Sequence, residues 1–480
     1  MSQNDSTKSP VGLDSKQSAN FTTPGQHGLP ESPSAQKLTS LDMSMPRLYG
    51  ARWILCFPLQ PDTDTAQVYE NLKLGLAHTI KSVPWIGGNI APEEGQDPKD
   101  NRIQIVDSSD GVRFPYCDLT GTLPSYEELK KDNFPLSRLS TAQLGPIGVF
   151  AEGPQPVMAA QANFIQNGLL LAVGVHHSAC DASALDNIVG IWSANTAAAS
   201  GSGSFTTYDA QSNDRSPLMK GMSGAQLGDF PEYMLVPSAG SSMPQMPATF
   251  QMPPLVTRIF RFSPEALAGL KAAAAAFSTH DALCAFIWRH MTLARRNPGA
   301  STSSTAGNSG DETSVLAFAV NIRGHTSPPL PPTYLGNASM ASVTSRFPTS
   351  TLTADDGLSF AAAAVRKSLA AFRSPSRVPL TIGILNSRPD PTDFKLSYNA
   401  FLGPDIVSTS WADLRVYQND WGILGGVESF RTPGEGADGV IVVFPRLKDG
   451  GLEVTVALEL GAMERLLRDE QFNSTAQLWA

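Results

Sequence analysis

The amino-acid sequence predicts an α/β fold, with strands and helices mixed as in α+β proteins, arranged in two domains. The chain has 480 residues, whereas domains mostly contain about 100–200 residues, so two are expected. Short apolar runs typical of strands alternate with amphipathic segments typical of helices in both halves. A stretch rich in Pro, Ser, Gly and Met, residues 197–254, separates the halves and is predicted to be a crossover linker.

The composition is that of a globular protein in a reducing compartment. Hydrophobic residues make up 41% of the chain, the net charge is −9, and the four cysteines form no CxxC spacing. The charge excludes a basic nucleic-acid surface. No apolar run reaches the roughly 18 residues that span a bilayer, and the start MSQNDSTKSP lacks the apolar core of a secretory signal. We therefore expect a cytoplasmic enzyme with no nucleic-acid or membrane partner.

In the first half, residues 1–36 are polar and are expected to form a flexible arm. Residues 37–196 are predicted to form the N-terminal domain. Within it, RWILCFPL, residues 52–59, is predicted to be a strand, and residues 64–82 an amphipathic helix. Pro84 ends that helix because proline lacks a backbone N–H.

Residues 255–480 are predicted to form the C-terminal domain. TRIFRF, residues 257–262, alternates like a strand. Ser263 and Pro264 then suit the N-cap and the first position of a helix. The later predicted elements are a helix from Ser278 to Arg296, a surface loop over Ser301–Ser314, a strand over Ser314–Gly324, and a β-hairpin around Lys448–Gly451.

The segment LLLAVGVHHSACDASALDNIVGIW, Leu169–Trp192, carries the most informative motif. Its apolar start is predicted to be a strand buried on both faces. Apolar residues after HHSACD recur at helical spacing, so the motif lies at a strand-to-helix junction. The two-residue period of a strand places His176 and His177 on opposite faces. One histidine can then face a cavity while the other is buried.

The residues alone leave several interpretations of this motif open. A core histidine satisfied by hydrogen bonds competes with a catalytic base. A metal site lacks support, since the other histidines form no HxxxH or HExxH spacing. Cys180 as a nucleophile has no neighbouring base other than the same histidines, and small buried cysteines are common.

HHSACD followed by an amphipathic helix resembles the HHxxxD signature of BAHD-type CoA-dependent acyltransferases, which condensation domains and chloramphenicol acetyltransferase share. Four further stretches resemble that family in the same order, over about residues 38–475. They are LTSLD (38–42), similar to the family's opening strand, STHDALCAFIWRHMTLAR (from 278), NIRGHTSPPLPPTYLGN (321–337) and STSWADLRVYQNDWG (408–422). The resemblance implies two chloramphenicol-acetyltransferase-like domains of similar fold with a channel between them.

Two departures from the family pattern stand out. Ala182 replaces the glycine that usually follows the signature aspartate. The Asp-Phe-Gly-Trp-Gly motif becomes DWGILGG, where Ile423 and Leu424 replace Trp and Gly. No role of the motif's tryptophan carries over, and the resemblance implies a structural role for Asp420 and Gly422, away from the reacting atoms.

The resemblance implies that His177 is the general base. It would take the proton of an acceptor hydroxyl as the oxygen attacks the thioester, and return it to the CoA sulfur without an acyl-enzyme. Thr409, Ser410 and the indole of Trp411 are candidates to stabilise the oxyanion, with a capped strand and a packed tryptophan as the alternative.

Two further groups of residues have expected roles. Asp181 is expected to be structural and to pair with an arginine, and we predict an ion pair between Asp420 and Arg323. Ser278, Arg373 and Arg377 are candidates to bind the CoA phosphates, with a solvated loop as the alternative for the arginines.

The sequence therefore predicts an acyltransferase that moves an acyl group, expected to be acetyl, from acyl-CoA to a hydroxyl of a small secondary metabolite. The character of the loops resembles that of the loops in fungal members such as trichothecene O-acetyltransferases. We expect a monomer with no permanently bound cofactor and no metal. The alternatives are a condensation-like enzyme with a carrier-protein donor and a non-catalytic relative that binds a small molecule in the channel.

Overall fold

The computed structural model describes residues 35–151, 153–236, 251–296 and 312–480, and the backbone of residues 20 and 21. The strands are β1 Asn20–Phe21, β2 Ala35–Lys37, β3 Ala51–Pro58, β4 Asn89–Pro92, β5 Ile103–Val106, β6 Val112–Arg113, β7 Tyr116–Asp118, β8 Gln155–Pro156, β9 Met158–Ile165, β10 Gly168–Val175, β11 Tyr233–Leu235, β12 Leu255–Phe262, β13 Thr313–Ser314, β14 Leu316–Asn321, β15 Ser339–Val343, β16 Phe347–Pro348, β17 Phe394–Leu396, β18 Ile406–Ser410, β19 Ser429–Arg431, β20 Val440–Val443, β21 Leu452–Glu459 and β22 Gln477–Leu478. The α-helices are α1 Ser40–Ser44, α2 Thr65–Ser82, α3 Tyr126–Lys131, α4 Thr141–Leu144, α5 Ala182–Ala199, α6 Pro264–Ala273, α7 Thr279–Arg295, α8 Thr349–Thr353, α9 Gly357–Ser368, α10 Arg377–Leu385, α11 Leu460–Leu467 and α12 Glu470–Asn473.

The first of two seven-stranded sheets has the order β1-β6-β9-β10-β3-β19, with β7 also paired to β9. Its strand β10 pairs antiparallel with β3 and β9 along its whole length, and every residue of β10 is buried. The apolar run before the histidine pair is therefore the doubly covered strand that the sequence predicts. The HHSACD motif occupies the turn between β10 and α5.

Helices α2 and α5 pack together against this sheet and form its main core. The carboxylate of Asp64 caps α2 by accepting the N–H groups of Ala66 and Gln67. The helix ends before Pro84, as predicted. Asp181 caps α5 in the same way, by accepting the N–H of Ala184.

The second sheet has the order β15-β14-β18-β20-β21-β12-β22. Strands β20 and β21 form the predicted hairpin, and β12 is the predicted alternating strand. Helix α6 begins after the N-cap Ser263 with Pro264 at its first position, as predicted. Helix α7 begins after Ser278, whose hydroxyl and Asp281 form a capping box, and it packs into the second core.

The LTSLD segment is a short helix, so the expectation of an opening strand is wrong. Thr39 and Asp42 form a reciprocal capping box, in which each side chain accepts a backbone N–H of the other residue. The Thr-x-x-Asp spacing is the sequence signature of that arrangement. The local helix places the Asp42 carboxylate inside the protein.

The crossover, residues 197–254, is more ordered than a linker where the structure describes it. Leu218 and Phe230 belong to a third buried cluster, and β11 pairs with β17 of the second half. Residues 237–250 lie outside the described residues, as do most of the predicted arm over 1–36 and most of the predicted surface loop over 301–314.

The C-terminal half also contributes to the first sheet. Strand β19 pairs with β3, and Trp411, Trp421 and Phe430 belong to the core beneath that sheet. A division of the chain at residue 255 therefore separates residues that share one core. In the part of the chain that the structure describes, no helix combines the length and apolar character needed to cross a bilayer.

Candidate active site

His177 lies immediately beyond β10, where its backbone is held on both sides. Its N–H donates to the carbonyl of Leu48 at 2.8 Å, and its carbonyl accepts from Nδ2 of Asn337 at 2.9 Å. A Cβ built on Gly50 would lie 3.1 Å from Cδ2 of the His177 ring, tighter than ordinary van der Waals contact. The absence of a side chain at Gly50 therefore leaves room for the imidazole.

The environment of His177 favours the neutral imidazole. Burial is the largest influence and lowers the pKa below the usual histidine value, whereas the residue's own backbone, the Asp181 carboxylate and Asn337 raise it in part. An imidazole that is unprotonated near pH 7 can accept a proton. This is the electrostatic requirement for a general base.

His176 faces a different environment, as the strand period predicts. Its Nδ1 accepts the N–H of Ser178 at 3.2 Å, and the ring of Tyr49 meets it edge-on with centroids 5.3 Å apart. Burial and the nearby His177 and Arg47 lower its pKa to about 4. His176 is thus the buried, satisfied core histidine of the pair.

Asp181 binds Arg323 through a bidentate ion pair. Nη1 and Nη2 of Arg323 lie 2.9 Å from the two carboxylate oxygens, which also accept the N–H groups of Ala184 and Ala338. Arg323 and these hydrogen bonds outweigh burial and hold the pKa of Asp181 below its usual value. With all these partners the carboxylate is structural, and it joins the strand-to-helix turn to the C-terminal half.

The predicted ion pair between Asp420 and Arg323 is wrong. Arg323 is engaged by Asp181, and Asp420 is exposed, where it accepts the N–H of Gly422 at 3.0 Å. Gly422 has φ of +66°, and a Cβ built there would lie 2.2 Å from Oγ of Ser200 on the turn after α5. The motif is therefore a tight turn packed against the end of α5, and its glycine is required by backbone conformation and space.

A second buried ion pair lies next to the first. Asp42, with no exposed surface, binds Nη1 of Arg215 at 2.9 Å, and Nη2 of Arg215 donates to the carbonyl of Ala179 at 2.8 Å. The other oxygen of Asp42 accepts both the N–H and Nδ2–H of Asn337, at 3.0 and 2.9 Å. Three segments, from α1, the crossover and the C-terminal half, thus converge on the turn that carries His177.

The candidate oxyanion residues lie at the end of β18. Thr409 is half-buried and Ser410 is exposed, whereas Trp411 is buried with its backbone N–H on the carbonyl of Val443. The Trp411 ring packs edge-on against Trp53 with centroids 6.0 Å apart. This packing is what the alternative of a packed tryptophan expects. It also fixes the indole of Trp411 at the border of a cavity.

That cavity has a volume of about 150 Å³ and lies between the two sheets. Gly50, the neighbour of the His177 ring, forms part of its wall, together with Trp411, Val442 and Ala457. A second cavity, of about 520 Å³, is bordered by residues 44–47, which precede the Leu48 carbonyl that holds His177. Two cavities therefore border the segment that positions the histidine.

Among the described residues, the structure shows no contact between His177 and the candidate CoA-binding residues. Ser278 caps α7 and also accepts from Arg366 at 2.9 Å. Arg377 is occupied by Glu232 and by the carbonyl of Asp229, so it is a structural residue rather than a solvated one. Arg373 is exposed at the surface. The role of these residues toward CoA stays a prediction.

Sequence reasoning missed the residues that support His177. Asp42 and Asn337 stand at the ends of two stretches that carry the family resemblance, but nothing local marks them as partners. Arg215 lies in the crossover, residues 197–254, which the sequence predicts to be a linker. The alternative nucleophile Cys180 is buried, and burial raises the pKa of its thiol, which disfavours the reactive thiolate.

Comparison with known proteins gives one family. The model of the Transferase family matches residues 23–473. The acyltransferase easC of Emericella nidulans is 29% identical, over 92% of this chain and 95% of the relative. The eremophilane O-acetyltransferase ORF8 of Penicillium roqueforti is also 29% identical, over 92% of this chain and 98% of the relative.

A solved structure supports the fold. The crystal structure of TRI101 from F. sporotrichioides complexed with coenzyme A and T-2 superposes with a TM-score of 0.78, at 22% identity, over 93% of this chain and 100% of that chain. At this identity the likeness establishes the fold. The mixed α/β architecture predicted from the sequence is thereby confirmed.

Proposed function

Because the chain belongs to the Transferase family, as a BAHD-type acyltransferase, we propose that it transfers an acetyl group from acetyl-CoA to a hydroxyl of a small fungal secondary metabolite, with His177 as the general base. The observation that carries this proposal is the backbone-held His177, whose ring lies against Gly50 in the wall of the cavity between the sheets. The relatives named as acyltransferases and as an O-acetyltransferase support the choice of reaction and of acyl group.

The reaction follows from the chemistry of the imidazole. An alcohol is a poor nucleophile while protonated, so Nε2 of His177 takes the hydroxyl proton as the oxygen attacks the thioester carbonyl. The tetrahedral intermediate then collapses, the carbon–sulfur bond breaks, and Nε2 returns the same proton to the sulfur. The products are an ester and free CoA. General-base catalysis of this kind typically contributes roughly 10²–10⁴-fold.

The oxyanion of the intermediate needs hydrogen-bond donors fixed in place before the reaction. Thr409 and Trp411 are proposed for this role because they lie at the end of β18, where Trp411 forms part of the wall of the cavity that Gly50 also borders. The packing of Trp411 against Trp53 would keep its indole rigid. We propose that the two cavities, which border residues 44–47 and Gly50 next to His177, receive the two substrates.

The protein is further proposed to act as a monomer in the cytoplasm, as the sequence suggests. A self-contained pair of sheets with a shared core is consistent with one chain forming one site. The substitution of Ile423 and Leu424 in the DWGILGG turn does not argue against catalysis. Ile423 is 65% exposed and Leu424 is buried in the core beneath the first sheet, and neither forms part of the wall of either cavity.

Thiol release tests the proposal. Purified protein and the His177→Ala variant would be incubated with acetyl-CoA and a panel of hydroxylated fungal metabolites, and free CoA followed with a thiol reagent. We expect release that requires an acceptor and falls by at least about 100-fold in the variant. His78→Ala, at a partly exposed histidine stacked on Phe205, is the matched control and should retain activity.

Three outcomes would contradict the proposal. Acceptor-dependent release that survives in His177→Ala would exclude this histidine as the base. Turnover only with an acyl group on a carrier protein would favour the condensation-like alternative. Binding of CoA by the wild type with no turnover across the panel would support the non-catalytic relative.

A further inference from the structure

Arg52 forms part of the wall of the cavity between the two sheets, and its side chain is 11% exposed. The described residues bind its guanidinium only through Nη1, which donates to the hydroxyl of Thr141 and lies 3.7 Å from the carboxylate of Glu435. Nε is buried and has no hydrogen-bond partner among the described residues. A buried donor without a partner is unfavourable, so the cavity contains an unsatisfied demand for a hydrogen-bond acceptor.

The guanidinium is held in place by the sheet and by Thr141. Gly174 of β10 pairs with Arg52 of β3, and a Cβ built on that glycine would lie 3.7 Å from Cγ of Arg52. The aliphatic part of the arginine therefore lies over the backbone of β10. The hydroxyl of Thr141 accepts from Arg52 and donates to Glu435, so one threonine fixes the positions of both charged groups.

Glu435 balances the charge of Arg52. Burial raises the pKa of Glu435, but hydrogen bonds from the hydroxyl and the N–H of Thr141 outweigh it and hold that pKa below its usual value. Glu435 is therefore a carboxylate near pH 7. The other residues of the wall, among them Trp411 and Val442, carry no charge. A wall without net charge offers little attraction to the phosphates of CoA, and the carboxylate disfavours a second anion beside it.

The size of the cavity limits what can enter it. A cavity of about 150 Å³ holds a molecule about the size of benzene, which is one six-membered ring and much smaller than CoA. Gly50 belongs to the same wall and lies against the ring of His177. A ring in this cavity is therefore next to the segment that carries the proposed base.

We propose that Arg52 is a specificity-determining residue that binds the ketone oxygen of a cyclic hydroxyketone, while a hydroxyl of the same molecule reacts at His177. The proposal rests on the proposed function, and it assigns the acceptor to the cavity between the sheets. A carbonyl oxygen only accepts hydrogen bonds and a guanidinium only donates them, so the two groups match. An acceptor without this oxygen leaves the buried donor unpaired, which is how a polar site rejects an apolar analogue.

Three single-ring acceptors test this assignment in the thiol-release assay with acetyl-CoA. They are cyclohexanol, 4-hydroxycyclohexanone and 4-hydroxycyclohexanecarboxylate. In the wild type we expect kcat/KM to be at least about 10-fold higher for the hydroxyketone than for cyclohexanol, and lowest for the carboxylate. In Arg52→Met, which keeps an apolar stem, the preference for the ketone should fall to about twofold or less. Arg468→Met, at a side chain that is 77% exposed, is the matched control and should keep the preference.

Glu435→Gln provides a second variant at a position where the side chain is 52% exposed. Its amide oxygen can still accept from Thr141, but the negative charge is removed. We expect kcat/KM for 4-hydroxycyclohexanecarboxylate to rise by about 10-fold, because the like charge beside Arg52 is gone. An unchanged value would overturn the role of the pair. A ketone preference that survives in Arg52→Met, with a raised KM for acetyl-CoA, would also overturn the inference, because the arginine would then bind the donor.

Binding measured without acetyl-CoA separates this inference from the proposed function. Saturation-transfer NMR gives the affinities of cyclohexanol and 4-hydroxycyclohexanone for the wild type and for Arg52→Met. We expect the ketone to bind about 10-fold more tightly to the wild type, and the difference to be lost in the variant. Equal affinities in the wild type would overturn the inference even if acyl transfer is established. A ketone preference in a protein that releases no thiol would leave the role of Arg52 standing and count against the proposed function.

Discussion

The two turns that carry the family motifs, HHSACD and DWGILGG, each contain an aspartate, but the two aspartates stabilise the structure in different ways. Asp181 is 6% exposed and binds Arg323 and two backbone N–H groups. Asp420 is exposed and caps only the turn that follows it. The histidine turn is held by buried charges from distant segments, whereas the second turn is held by shape, through the buried Trp421 and the close approach of Gly422 to α5. The position of a carboxylate in a motif therefore does not indicate how much it contributes to the free energy of unfolding, because that contribution depends on burial.

The largest effect is expected at Asp181. Asp181→Ala leaves Arg323 buried without its carboxylate partner, and removal of one partner of a buried ion pair typically costs about 3–5 kcal/mol. Chemical denaturation should show a loss in the free energy of unfolding of that order. A loss below about 1 kcal/mol, as for a surface pair, would contradict the contrast between the two turns.

A smaller loss is expected at Gly422. An alanine there must adopt φ of +66° and would place its Cβ 2.2 Å from Oγ of Ser200. Strain and overpacking of this kind typically cost about 1–3 kcal/mol. Thermal unfolding of Gly422→Ala should therefore show a reduced Tm. Gly425→Ala is the control for backbone strain, because its φ is also +66°, with ψ of −145°, but nothing lies within 4 Å of the built Cβ. A larger loss in Gly422→Ala than in Gly425→Ala would therefore show the cost of the contact.

The smallest effect is expected at Asp420. Asp420→Ala removes a hydrogen bond at the surface, and surface substitutions usually change stability by less than about 0.5 kcal/mol. We expect its unfolding curve and turnover to stay close to those of the wild type. A loss comparable with that of Asp181→Ala would mean that Asp420 has a buried partner and that the comparison is wrong.

The sequence predicts what is local and leaves open what depends on tertiary partners. The strand β10, the N-cap at Ser263 and the β20–β21 hairpin follow from patterns within a few residues. The partner of Arg323 does not follow from a local pattern, because Asp181 and Asp420 are both far from Arg323 in the chain. Burial decides which of the two aspartates pairs with it. LTSLD shows the same limit, because its Thr39–Asp42 capping box is a local signal, whereas the buried partners of the Asp42 carboxylate come from distant segments.

The candidate site divides in the same way. His177 can be predicted as a site residue from its place at the end of an apolar strand. The burial of its neighbour His176 can be predicted from the strand period. Arg215 could not be predicted, because it lies in a Pro- and Ser-rich stretch whose composition is typical of a linker. Asn337 was part of a stretch that resembles the family, but only the folded chain brings its amide to the histidine.

The most direct test of the account is the pH dependence of kcat/KM for the acceptor between about pH 4 and 9. His177 is the base only when it is neutral, and burial lowers its pKa. Activity should therefore be constant through neutral pH and fall on acidification with an apparent pKa below the usual value of about 6.5. The residual activity of His177→Ala should lack this limb. An acid limb above about 6.5, or the same limb in His177→Ala, would contradict a neutral His177 as the general base.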